Sequence, residues 1–385
     1  MFRRMKISTG ILIISFICVV TFQSCNSPVD SPQPPPGNID EVIGQMLMVG
    51  FRGFEITPGN FIYRDLVQYK IGGVALYDRD VISGTYDRNI KSADQIRKLV
   101  SQLQELGNNQ LLIAIDQEGG RVNRLKTAYG FPPTVSAQYL GNLNNLDSTY
   151  FYSNMMAQTM AAVNLNMNFA PCVDVNVNPT NPVIGGIERS FSADPLQVVN
   201  HADKFILAHR NNHILTCIKH FPGHGSSQTD SHLGFTDVTN SWSANELIPY
   251  RKLLEKGSVD MVMTAHIFNA NLDSLYPATL SKNIITGILR NQIGYDGVVI
   301  TDDMQMKAIS DYFGLEQAVE KTIEAGVDII MFPNNNIYDP EIVPKVFTII
   351  KNMLASGKVT ESRLLKSYYR ILKLKTRLNK SANVY

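Results

Sequence analysis

His213-Ile-Leu-Thr-Cys-Ile-Lys-His-Phe-Pro-Gly-His-Gly225, followed shortly by Asp230-Ser-His232, decides how this chain is read. Its first six residues are apolar and partly β-branched, and read as a buried strand. From Lys219 the character changes: fourteen residues hold three imidazoles, an ammonium and a carboxylate. Pro222, Gly223 and Gly225 oppose a continuous helix, because proline fixes φ and removes a donor while glycine destabilises helix interiors. A loop is therefore expected from Lys219 to Gly225. A strand opening into a polar, glycine-rich loop is how an α/β protein presents a site on a rigid scaffold.

Similar strand-like runs occur at 44–51, 72–77, 111–115, 167–175, 259–266, 297–300 and 327–332, making eight with 213–218. Helix-like segments alternate with them at 92–106, 150–163, 195–211, 244–255, 283–292 and 315–325. Repeated βα units predict a parallel sheet, and eight predict an α/β fold closed as a (β/α)8 TIM-like barrel, a single catalytic domain with its site at the C-terminal strand ends. A doubly wound open sheet is the alternative architecture. Neither the dinucleotide nor the phosphate-loop glycine signature accompanies a strand, so nucleotide binding gains no support.

The 385 residues are 44% hydrophobic, enough for a substantial core, and 35 basic side chains nearly balance 34 acidic ones. Such a balance gives no global attraction to nucleic acid. At the N-terminus, Arg3, Arg4 and Lys6 precede the twelve-residue apolar run Ile11 to Phe22, which is too short to span a bilayer but suits a secretory signal. Phe22-Gln-Ser-Cys25 resembles the lipobox of bacterial lipoproteins, with Phe22 where leucine is usual. The expected organisation is a signal over 1–24, lipid attachment at Cys25, a Pro/Ser-rich tether over 25–38 and the barrel over 39–385. Export from a bacterium follows, with the domain held to the cell envelope only by its lipid. Cys172 and Cys217, each in an apolar run, read as buried free thiols.

Polar residues collect where a barrel would need them. Asp116-Gln-Glu-Gly-Gly-Arg-Val-Asn-Arg124 follows the third strand, Glu188-Arg189 the fourth, Lys219-His220 the fifth, His266 the sixth and Thr301-Asp302-Asp303 the seventh. Each has a bland reading, since a strand-end aspartate often caps a helix and a loop histidine often only satisfies hydrogen bonds. Thus Asp303 is expected to cap the next helix, His224 to shape its loop, and Glu118 and Arg121 to pair beside Gly119-Gly120. His266 is left between lining a pocket and satisfying a buried bond. Asp78 and Asp174 have no assigned role.

Taken together, Asp116-Gln-Glu-Gly-Gly-Arg-Val-x-Arg124, Ile187-Glu-Arg-Ser190, Lys219-His-Phe-Pro-Gly-His-Gly225 with Asp230-Ser-His232, and Thr301-Asp-Asp-Met-x-Met306 resemble the single-domain β-N-acetylhexosaminidases of glycoside hydrolase family 3. The resemblance runs from about Ile43 to Leu378. It implies a retaining mechanism through a glycosyl-enzyme intermediate, with Asp302 as nucleophile and His232, oriented by Asp230, as acid/base. It also implies that Asp116, Arg124, Arg189, Lys219 and His220 hold the nonreducing sugar. No metal and no other cofactor is implied. The expected partner is a carbohydrate with terminal β-linked N-acetylglucosamine, from oligosaccharides or peptidoglycan fragments.

The chemistry suits these residue types: retention needs a carboxylate nucleophile and a group that first donates and later accepts a proton. An imidazole near neutrality does both, and a neighbouring carboxylate favours its cationic form. Three competing readings stand beside this one. His220, His224, Asp230 and His232 could ligate zinc, although Pro222-Gly223 interrupts the helix that would place the first two on one face. A phosphorylase is the second, because a histidine does not repel phosphate as a carboxylate would. A lipid-anchored sugar-binding protein without catalysis is the third.

Overall fold

A computed structural model describes residues 1–2, 38–108 and 110–378. Cys25 and nearly all of the expected signal and tether lie outside the described residues. The chain divides after Pro35, and the fold is that of the second unit. Ten strands occur among the described residues: β1 Leu47–Val49, β2 Gly73–Ala75, β3 Leu112–Ile115, β4 Met167–Asn168, β5 Leu215–Phe221, β6 Thr236–Asp237, β7 Met261–Thr264, β8 Ile267–Phe268, β9 Val298–Ile300 and β10 Ile330–Phe332.

Eight of them form one sheet in the order β10-β1-β2-β3-β4-β5-β7-β9. Neighbouring strands in it pair in parallel. An isolated parallel bridge, Ile300↔Ile329, joins the two ends. The result is the expected (β/α)8 TIM-like barrel. The other two strands, β6 and β8, pair separately outside the ring.

Local chemistry explains the helices. Ser92 caps Ala93–Leu106 by accepting from the Gln95 amide, and the helix buries Ile96, Leu99, Val100 and Leu103 on one face. Asp194 caps Pro195–Asn211, with proline in the first turn where its missing N–H costs nothing. The segment Asn283–Gln292 is helical as expected but winds as a π-helix. The core falls into two main clusters, one around β1–β3 and β10, the other around the helices that flank β5, β7 and β9. Each fully buried Leu or Ile adds about 1.5–3 kcal/mol.

Element limits differ from expectation in instructive ways. The run at 44–51 holds the end of the helix Ile39–Gln45 before β1 begins. The run at 167–175 forms a ladder at Met167–Asn168 and, further on, a single parallel bridge, Cys172↔Lys219. The fifth strand extends through Phe221, so Lys219 and His220 lie inside it instead of in a loop. Their backbone is held by neighbours on both sides: Val173 donates to the Lys219 carbonyl and Ala265 to the Phe221 carbonyl.

Candidate active site

Beyond β5 the chain turns sharply at Pro222-Gly-His-Gly225. A Cβ on Gly225 would stand 1.7 Å from the Val175 carbonyl, so only glycine fits that approach. The turn is fastened from below by two acids. Asp174 accepts from the His224 amide at 2.7 Å and Glu246 from the Gly225 amide at 2.9 Å. His224 is buried, with Nδ1 bonded to Ser227 Oγ and Nε2 to Ser231 Oγ. Burial, with the field of His220, pushes its ring down to about 4. It shapes the loop, as expected.

The loop then carries Asp230 and His232 back over the strand ends. Asp230 Oδ1 accepts from both the amide and the ring Nδ1 of His232, each at 2.8 Å. Among the described residues, His232 Nε2 has no protein partner. Its side chain is 48% exposed. Desolvation works against the imidazolium, but the Asp230 bond and the charge of Asp302 outweigh it and raise the ring above the ordinary histidine value.

Asp302 stands two residues beyond the end of β9. Its Oδ1 accepts from the Asp303 amide at 2.8 Å, and among the described residues no side chain is bonded to it. Burial would raise this carboxyl; the fields of His266, His220 and His232 outweigh burial and hold it below the usual range. A free carboxylate without a permanent cation partner is what a nucleophile requires.

The residues expected to hold a sugar form one charged network. Lys219 Nζ, from inside β5, reaches Asp116 at 2.8 Å and Glu118 at 2.7 Å. Burial would lower its ammonium, but the two carboxylates raise it to about 12. Arg189 grips Glu118 through Nε and Nη2 at 2.8 and 2.7 Å, and donates to the Val183 carbonyl. Burial of Glu118 is outweighed by Arg189 and Lys219, which hold it at about 2. Arg124 reaches Asp116 at 3.2 Å. Asp116 is held well below the carboxylate range by Lys219 and Arg124 despite its burial. Glu118 therefore pairs with Arg189 and Lys219, and not with Arg121 as the local sequence suggested. The Gly119-Gly120 turn beside it has φ of 97° and 59°, and a Cβ on Gly119 would meet the Val135 carbonyl at 2.2 Å.

Asp174, without a role in the sequence, is a hub. Its carboxylate accepts from His220 Nδ1 at 2.7 Å, from the amides of His220 and His224, and from Cys172 Sγ at 3.1 Å. Asp174 can only accept, and Arg189 Nη2, 3.2 Å from His220 Nε2, can only donate. The His220 ring is thereby assigned as the Nδ1–H tautomer. Asp78 likewise gains partners, Lys126 at 2.5 Å and Arg124 at 3.8 Å.

Two expectations shift. Asp303 accepts from the Gln305 amide and from Asn336 Nδ2, while the next helix starts only at Lys307 with Met306 as its cap position. It is buried, which raises it to about 6. His266 bonds Thr279 Oγ1 through Nδ1 and the Asp303 carbonyl through Nε2, so its hydrogen-bonding capacity is spent on structure. Among the described residues, the potential metal ligands gathered in this region are Cys172, Asp174 and His220, not the four of the zinc reading. Cys172 and Cys217 are buried free thiols.

All eight residues singled out as catalytic or sugar-holding line one pocket of about 390 Å³. Tyr77, Arg79, Asn335 and Asn336 join them in its wall. The pocket sits at the C-terminal strand ends, with a potential nucleophile, a proton-transfer pair and a set of fixed donors and acceptors.

Residues 38–374 match the glycosyl hydrolase family 3 N terminal domain, and the chain belongs to that family. It is 33% identical over 391 residues to a beta-hexosaminidase A of Pseudoalteromonas piscicida, covering 90% of this chain and 62% of the relative. The chain thus spans less than two thirds of that relative's length. A beta-hexosaminidase of Tolumonas auensis is 31% identical over 293 residues, or 75% of this chain and 83% of that one. Among solved structures, a glycoside hydrolase family 3 beta-N-acetylglucosaminidase from a Paenibacillus species superposes with a TM-score of 0.81 at 32% identity, covering 90% of this chain and 64% of the other.

Proposed function

We propose that this chain is a retaining exo-β-N-acetylhexosaminidase that removes terminal β-linked N-acetylglucosamine. The observation that carries the reading is the meeting of Asp302 and the Asp230–His232 pair in one pocket with Asp116, Arg124, Arg189, Lys219 and His220. Its family and the names of its relatives support the same reading.

In the first step Asp302 attacks the anomeric carbon while the His232 imidazolium protonates the departing oxygen from Nε2, and a glycosyl-Asp302 ester forms. In the second, neutral His232 takes a proton from water, the water oxygen attacks the same carbon, and Asp302 leaves as carboxylate. Two inversions retain the configuration. Asp230 holds the ring and favours its charged form before the first step. The Lys219–Asp116–Arg124 and Glu118–Arg189 network holds the sugar with donors and acceptors already positioned, so little ordering is left for binding. A bond from the sugar to His220 Nε2 has to displace the one from Arg189.

The test compares wild type, Asp302→Ala and His232→Ala on aryl β-N-acetylglucosaminide and aryl β-glucoside. Wild type should prefer the first substrate, with Asp302→Ala lower by about 10³-fold or more and His232→Ala by about 10²-fold. Full activity in Asp302→Ala would sink the mechanism. A sugar 1-phosphate appearing only when phosphate is added would reassign the enzyme as a phosphorylase. The reading includes export through residues 1–24 and acylation at Cys25, so labelled fatty acid should enter the wild type and not Cys25→Ala.

A further inference from the structure

Three segments leave the barrel beside the proposed catalytic groups, and each contributes an aromatic ring to one cluster. Phe235 lies three residues beyond His232, Phe268 two residues beyond His266, and Tyr312 ten residues beyond Asp302. Phe235 stands 5.2 Å from Phe268 and 5.5 Å from Tyr312, ring centre to ring centre. Pairing of Thr236 with Ile267 and of Asp237 with Phe268 fixes the first two segments together. Even so, Phe235 remains 41% exposed, Tyr312 57% and neighbouring Leu233 73%. Single exposed hydrophobics are ordinary; a contiguous group of them beside a site marks a binding surface.

We infer that Phe235, Phe268 and Tyr312 form the subsite for the leaving-group sugar, and that they select a β-linked chain of pyranoses with equatorial substituents. The inference rests on the hexosaminidase reading. In that reading the sugar to be released fills the charged pocket, where Asp116, Lys219 and Arg189 meet its polar groups. The oxygen protonated by His232 then joins it to the remaining chain, which extends past His232 onto the loop surface. There the protein offers three rings, with exposed Asp237 paired opposite Phe268 and exposed Asp311 next to Tyr312 in the chain. A pyranose with equatorial substituents turns only axial C–H groups to such a surface, and aromatic side chains supply a large contact at small cost in lost freedom.

The experiment uses Tyr312→Ala, whose ring is mostly exposed so that folding is not at stake, and Tyr312→Trp as the conservative variant. Each is assayed on N-acetyl-β-glucosaminyl fluoride, whose leaving group cannot reach the cluster, and on chitotriose. The ratio of kcat/KM for chitotriose to that for the fluoride should fall at least fivefold in Tyr312→Ala, mainly through KM, and stay within twofold of wild type in Tyr312→Trp. An unchanged ratio with wild type active on the fluoride overturns the subsite alone, as does an equal loss on both substrates. A wild type inactive on both substrates overturns the hexosaminidase reading and the subsite with it. Sedimentation velocity covers another occupant: a dimer abolished by Tyr312→Ala, with the ratio unchanged, would make this face a contact between copies and overturn the subsite.

Discussion

Asparagine at position 174 removes the acid on which the β5 loop is hung. In the folded chain this buried carboxyl is driven up by desolvation, but the field and bond of His220, with help from His224, hold it at about 2 against an ordinary 3.8. The difference corresponds to about 2 kcal/mol of stability at neutral pH. For a depressed carboxyl that contribution is complete above the unfolded value and is lost as pH falls through the folded one. The gap between wild type and Asp174→Asn should therefore be flat above about pH 5 and narrow below about pH 4. Asparagine keeps one acceptor but turns an NH2 toward the His220 and His224 donors, adding about 1–3 kcal/mol of unsatisfied polar contact. A combined loss of about 3–5 kcal/mol should lower Tm by about 6–12 °C. The His220 tautomer is then no longer dictated, and kcat/KM on an aryl β-N-acetylglucosaminide should drop by about 10²-fold. Calorimetry between pH 4 and 8 and steady-state kinetics measure both quantities. A Tm within 2 °C of wild type, or kcat/KM within about threefold, would refute the assignment of Asp174 as the organising acid.

The alkaline limb of the pH–rate profile should follow His232, which has to be protonated to assist departure and whose ring is raised chiefly by its Asp230 bond against desolvation. Asp230→Asn should move that limb toward lower pH; an unmoved limb would mean that another group donates the proton. At the opposite end of the strands, Lys375 is buried and, among the described residues, bonds only Gln45 Oε1 and the Gly72 carbonyl. Desolvation lowers it to about 7. Its stability deficit is therefore full below about pH 7 and shrinks as pH rises toward 10.5. Lys375→Met should raise stability by about 1–3 kcal/mol at pH 6 and by less at pH 9, read by urea unfolding. A gain that grows with pH would contradict that account.

Barrel architecture was legible because the apolar runs and intervening helical stretches repeat along the chain, and periodicity survives without knowledge of neighbours. The polar strand-end motifs were legible for the same reason: each is local. What sequence reading missed was pairing between strands. Glu118 has Arg121 three positions away, yet its partners are Arg189, from the long loop after β4, and Lys219, from β5, brought near by parallel pairing of the strands. Asp174 gave no sign of its role because its partner His220 lies on the adjoining strand. Strand limits were misjudged at Lys219 and His220 because charge and imidazole suggested solvent, whereas Asp116, Glu118 and Asp174 allow both to be buried. An aspartate after β4 with a histidine at the end of β5 is a signal that could have found this pair, given the barrel order.

Seven of the eight junctions in the ring are strand ladders; the eighth is the single bridge Ile300↔Ile329. Around it the backbones still bond, Ile329 donating to the Val299 carbonyl and Thr301 to the Ile329 carbonyl, and a side chain adds to them, with Thr301 Oγ1 accepting from the Met331 amide. A barrel closed in this way leaves no edge strand with unpaired backbone groups, and this junction is what completes the ring. Asp302 lies two residues beyond Ile300 of that bridge, so closing the ring also sets where its carboxylate stands. The strand that leads to Asp302 is thus bonded on both flanks, to β7 on one side and across the closing junction on the other, so the carboxylate and the sugar-holding network proposed for it share one continuous frame.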